Sequence, residues 1–178
     1  MSLKTWHILG LFLTLILGPL LHFTYSWSGH QPFVALFSPV NESVWEHQKL
    51  LAMPFFLFAV IEYIAYGKYL PNFFAVKLIA LLLGILTIAG LFYSYSSILG
   101  TNYLPLDIGT FFAGVIVAYM FSLYSFRKGL FLKGPFPTLA GPLFLLLLAV
   151  FFLFTFYPPK LGLFYDSVSG AYGIKKSV

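Results

Sequence analysis

The sequence predicts an all-α fold: a polytopic membrane protein with a bundle of five transmembrane helices, N-terminus in and C-terminus out. Three observations lead there. The first is a set of five long apolar stretches, Ile8–Tyr25, Leu50–Gly67, Leu78–Ile98, Ile108–Phe126 and Thr138–Tyr157. Each is close to the ~20 residues that a helix needs to cross ~30 Å of hydrocarbon. Only helices or closed barrels satisfy their backbone in lipid, and runs this long are not barrel strands. The second is composition: 178 residues, 60% hydrophobic and 8% charged, where a soluble domain carries about 25% charged residues. The third is charge placement. Lys4, Lys68, Lys77, Arg127, Lys128 and Lys133 fall on one side of the five segments, and Lys49, Lys160, Lys175 and Lys176 on the other. The richer side is expected to be cytoplasmic. The net charge of +5 therefore reflects membrane orientation rather than nucleic-acid binding.

Taken in order, the elements have separate justifications. Met1-Ser2-Leu3-Lys4 precedes an apolar core too long for a signal peptide, and no small-residue cleavage site follows, so the first segment reads as an uncleaved span. Pro19 frees a carbonyl and bends it. The connection Ser26–Lys49 carries Pro32-Phe33-Val34-Ala35-Leu36-Phe37-Ser38-Pro39, too short to span and expected in the interface or dipping into it. Ser43-Val44-Trp45-Glu46 reads as a capping box that opens the second span, with Asn41 an alternative cap. Asp107 reads as the N-cap of the fourth span. Pro158-Pro159 stops the fifth. With these ends the spans are predicted at about 8–25, 44–67, 76–98, 107–126 and 138–157, in one membrane domain over 1–178. The tail Leu161–Gly173 is too apolar for a free end. It is expected to fold over the outer ends of the helices, leaving Lys175–Val178 loose.

Five acidic residues are present, and Glu42, Glu46, Asp107 and Asp166 fall at the outer face under this topology, joined by His22, His30, His47, Asn41 and Asn102. Interfacial ionisable groups point to a site. Asn41, Glu42, Glu46, His47, Asp107 and Asp166 are the expected ligand-binding residues. Glu42, Glu46, His47, His22 and Asp107 are the metal-ligand candidates, since a His and two Glu exceed what a helix cap needs. For each residue the bland alternative is capping, turn formation or interface anchoring; for His22 it is an interhelical hydrogen bond. Glu62 lies about 24 Å along the helix from Glu46 at ~1.5 Å per residue. It is a second, separate intramembrane position: a snorkelling carboxylate paired with Lys68, Lys77 or Arg127, or a proton or cation carrier.

With no Cys, disulfides, thiolate metal sites and Cys nucleophiles are excluded. There is no His-Glu-x-x-His, Gly-x-Ser-x-Gly or Walker loop, and no Arg ladder. Pro39-Val40-Asn41-Glu42-Ser43-Val44-Trp45-Glu46-His47 resembles a motif of a family of small prokaryotic membrane proteins of unknown function. The similarity continues through Glu62-Tyr63, Phe92-Tyr93-Ser94-Tyr95, Asp107-Ile108, Phe154–Pro159, Tyr165-Asp166 and Gly170–Gly173. The resemblance implies no activity. It implies one design for the outer polar residues and a bacterial or archaeal plasma membrane.

The leading functional expectation is an outer-face site for a divalent cation, a small polar ligand or a lipid headgroup, in a transport or lipid-handling role with membrane lipids as neighbours. Oxygen and imidazole ligands without sulfur suit Zn, Mn or Mg. The alternatives are a metal-dependent hydrolase acting on a lipid or peptide, and a structural or accessory subunit with no site.

Overall fold

The computed structural model describes residues 1–174; the loose end expected at Lys175–Val178 lies outside the described residues. Five helices long and apolar enough to cross a membrane are present, as the hydropathy pattern predicts. Helix α1 (Leu3–Trp27) starts earlier than its apolar run because the Ser2 hydroxyl accepts the Thr5 amide at 3.1 Å, an N-cap upstream of the hydrophobic segment. A short helix α2 (Pro32–Ala35) follows in the first long connection. The second span is built from α3 (Val44–His47) and α4 (Lys49–Ala65). Helix α5 (Phe73–Leu99) ends at Gly100, whose φ of 72° is a left-handed cap. Helix α6 (Leu104–Lys128) starts three residues before the expected cap at Asp107, because Pro105 in its first turn is pre-set for helix. Asp107 is therefore inside the first turn and not the N-cap. Helix α7 (Phe136–Phe156) stops just before Pro158-Pro159.

The span formed by α3 and α4 is the centre of the bundle: 67% of its apolar window is buried, against 22% for α1 and for α7. Helix α1 meets it through a stripe of small and polar residues, His7, Gly10, Thr14 and Gly18, all buried, at the 3–4 spacing of one helix face. A Cβ on Gly18 would lie 2.7 Å from the Leu50 carbonyl oxygen. Helices α5 and α6 approach through Gly84 and Gly114: a Cβ on either would lie 2.8–2.9 Å from the other's carbonyl oxygen. This is the small-residue contact by which membrane helices pack, formed across two helices rather than within one sequence motif. Gly90 and Gly109, also apt for close packing, face open space.

Contacts divide the bundle into two ends. The C-termini of α1, α5 and α7 meet α3 and the start of α6 at one end. The N-termini of α1 and α5 meet the C-termini of α4 and α6 at the other. At the first end the tail makes a 3-10 turn, Gly162–Phe164, then an antiparallel hairpin of β1 (Tyr165–Asp166) and β2 (Ala171–Tyr172). This small hairpin was not expected in an all-α fold. It docks through Phe164, whose ring sits 4.9 Å from Trp45 and 5.4 Å from Phe154, and through the Asn41 amide, which donates to the Gly173 carbonyl at 3.0 Å.

Candidate metal centre

Three side chains from three segments converge at the end of the bundle that the tail covers. His22 comes from α1, three residues beyond Pro19. Glu42 comes from the loop before α3, and His47 is the last residue of α3. His22 Nε2 lies 3.2 Å from His47 Nε2, and Glu42 Oε2 lies 3.7 Å and 3.4 Å from those two nitrogens. All three candidate ligand atoms fall within 4.8 Å of one another. The orientation of His47 is fixed from behind: its Nδ1 lies 3.0 Å from the Ser43 carbonyl. A carbonyl only accepts, so Nδ1 carries the proton, and Nε2, turned to the cluster, offers its lone pair whenever the ring is neutral. This backbone buttress is the arrangement that orients metal-binding histidines. The His22 hydrogen bond, helped by the charges of His47 and His22, holds the Glu42 carboxyl below its usual range, against burial and the nearby Asp166.

The cluster opens on a cavity of about 570 Å³. Apolar side chains from α1, α4, α5 and α6 make most of its wall, and Ser167 and Val168 of the tail hairpin close part of it. Asp107 and Asn102 line the same cavity. Asp107 accepts from the Tyr95 hydroxyl and from the Asn102 amide, the latter at 3.3 Å.

A family model described as a family of unknown function (DUF6512) matches residues 1–174. The chain belongs to this family. No curated protein and no solved structure matches the chain. The DUF6512 match includes every residue of the cluster and of the cavity wall.

Within this DUF6512 chain the sequence-predicted residues separate into distinct roles. His22, Glu42 and His47 come together. Asp107 shares their cavity but belongs to a second polar group with Tyr95 and Asn102. Glu46, expected as a ligand beside Glu42, turns the other way. It is 2% exposed and pairs with the fully buried Lys49 at 2.6 Å. Lys49 also donates to the Ala35 and Ser38 carbonyls at 2.9 and 3.3 Å, and Glu46 accepts the Val40 amide. Glu46 thus staples the α2 loop to the start of α4. Ser43 accepts the Glu46 amide as a capping box requires, but its own amide goes to Asn41 Oδ1 at 2.9 Å, so only half the box forms. Asn41 holds the tail. Asp166 turns back on its own hairpin, accepting from the Ser169 hydroxyl and the Val168 amide. Burial pushes its carboxyl up, but those bonds outweigh it and leave it below the usual carboxylate range.

Glu62 does not snorkel. It is 1% exposed, forms an ion pair with Lys77, and accepts from the Tyr66 hydroxyl at 2.7 Å. The Lys77 ammonium is surrounded by the rings of Phe55, Phe73, Tyr119 and Phe126, with centroids 5.3–5.9 Å away, an aromatic cage for a cation. His7 stands 4.0 Å from Glu62 and bonds Ser122 on α6 at 2.9 Å. Sequence reasoning passed over His7 and gave Tyr95 no role beyond the resemblance carried by Phe92–Tyr95. Two signals were available: His7 begins the His7/Gly10/Thr14/Gly18 stripe, and Tyr95 lies on the face of α5 that also carries Ile88 and Phe92, opposite Asp107 across a short turn.

Proposed function

We propose that this protein is an integral plasma-membrane protein, of a bacterium or archaeon, whose His22–Glu42–His47 cluster binds a divalent cation at the outer face as part of a lipid-handling or transport role. One observation carries the reading: two imidazole nitrogens and a carboxylate oxygen from three separate segments lie within 4.8 Å of one another. The buttressed Nε2 of His47 supports it, as does the charge at that end, where Glu42, Asp107 and Asp166 favour a cation. A donor set of two His and one carboxylate suits zinc first, then manganese; magnesium prefers oxygen ligands. The test is metal analysis of the purified protein after dialysis against zinc, manganese and magnesium. One equivalent of zinc, lost in His47→Ala, is the expected result. No metal in the wild-type protein would leave the cluster a hydrogen-bonded anchor and favour a structural or accessory subunit.

A metal-dependent hydrolase acting on a lipid or peptide is the second reading, and the cavity favours it. Three protein ligands leave a coordination position free, the pattern of catalytic rather than structural zinc. A cation-bound water at that position would have its pKa lowered towards neutrality. Ester or peptide hydrolysis that requires both zinc and Glu42 distinguishes this reading from binding alone.

A further inference from the structure

The cavity beside the cluster has an inner wall and a rim of different character. Leu50, Ile88 and Phe111 are its buried wall. Phe23 of α1 and Leu104 and Ile108 of α6 also line it, yet they are 51%, 71% and 48% exposed. Large apolar side chains exposed on membrane-crossing helices face hydrocarbon. In a bilayer, a rim of this kind would open the cavity sideways towards the lipid chains. Such a wall offers water few partners and suits an alkyl chain. The polar groups of the cavity are the cluster, Asp107 with Asn102 and Thr110, and Ser167 of the tail hairpin. Without a cation, Glu42 and Asp107 would repel an anionic group; with one, the free coordination position attracts it.

We infer that the cavity takes an amphiphile, a lipid whose anionic headgroup ligates the cation held by His22, Glu42 and His47 and whose chain lies against Leu50, Ile88 and Phe111, entering sideways past Phe23 and Ile108. The inference rests on the cation reading above and names the ligand class of that site. Cation and amphiphile then bind cooperatively, each raising the affinity of the other by the same factor.

The test uses the full chain in neutral maltoside micelles, titrated calorimetrically with decyl phosphate, inorganic phosphate and decanol, with and without zinc, against empty micelles. Zinc-loaded protein should bind decyl phosphate about tenfold or more tighter than either inorganic phosphate or decanol, because chain burial and anion ligation both contribute. Removing zinc should weaken decyl phosphate by a similar factor. Ile108→Trp and Leu104→Trp, both at the exposed rim, should weaken decyl phosphate and leave zinc binding in place. Inorganic phosphate binding as tightly as decyl phosphate would mean a free-phosphate site and overturn the inference. So would decanol binding as tightly, or full decyl phosphate affinity in both tryptophan variants. In each of these cases retained zinc leaves the cation reading standing. Failure of zinc itself to bind removes both.

Discussion

At the residue scale, Glu42 and Glu46 show how environment separates two carboxylates one helical turn apart in sequence. Glu42 is 47% exposed and faces two imidazoles; Glu46 is sealed against Lys49. Glu42→Gln should therefore lower zinc affinity by about tenfold or more, the scale on which even outer-shell groups act, with little loss of stability. Glu46→Gln should do the reverse. It strands the buried Lys49 ammonium and should cost about 3–5 kcal/mol, the usual penalty for breaking a buried pair, measured as a fall in unfolding midpoint. Equal effects of the two substitutions on zinc would contradict this assignment. The pH dependence follows from the same groups. Imidazoles ligate only when neutral, so protons compete with zinc for both histidines and the apparent zinc affinity should weaken as pH falls. Glu42, depressed below its usual value, stays ionised where the imidazoles titrate, so the weakening should track two protons and not three. An apparent zinc affinity that does not change with pH below neutrality would contradict two histidine ligands.

At the scale of elements, the tail and the α2 loop do different work for the site. The tail hairpin docks through Phe164 on Trp45, bonds Asn41 and contributes Ser167 and Val168 to the cavity. Truncation after Lys160 should lower thermal stability and speed zinc loss; unchanged values for both would show that the hairpin is not a cover. The α2 loop instead is tied to the C-terminal part of α1. The Ser38 hydroxyl accepts the Tyr25 amide at 3.0 Å and donates to the Leu21 carbonyl, groups that an uninterrupted helix pairs with each other. Helix existence was legible in the sequence because membrane spans depend on hydropathy alone. Helix ends were less so: Ser2 and Pro105 start their helices by local backbone chemistry upstream of the apolar runs. The site was legible in part. The motif around Asn41–His47 concentrated the right residue types, and His22 was singled out beside Pro19. Which of the two Glu faces His22 depends on the path of the loop before α3, and on Lys49 capturing Glu46. Neither is written in helical periodicity.

At the scale of the whole molecule, two of the polar clusters stand at opposite ends of the bundle. The first is the half-exposed His22–Glu42–His47 group. The second is the sealed Glu62–Lys77 pair with His7 and Tyr66, which ties α1, α4, α5 and α6 together where lipid offers no hydrophobic drive for helix association. Glu62→Gln should cost about 3–5 kcal/mol by leaving Lys77 uncompensated, and the double change Glu62→Leu with Lys77→Met should recover most of it. Chemical unfolding of the three proteins decides; a double variant no better than the single would show that the pair contributes more than neutralised charge. The basic residues predict an orientation for these ends. Cysteines at Ser28 and Ser169, in a chain with no native Cys, should react with impermeant reagents from outside, and one at Gly129 should not. The measurement that bears most directly on the central claim is zinc stoichiometry and affinity in the full chain, compared across wild type, His22→Ala, Glu42→Ala, His47→Ala and Glu46→Ala. The account predicts one equivalent in wild type, a loss of about tenfold or more in affinity for each of the first three variants, and retention by whatever Glu46→Ala protein remains folded. Absence of zinc from wild type, or loss on Glu46→Ala alone, would contradict it.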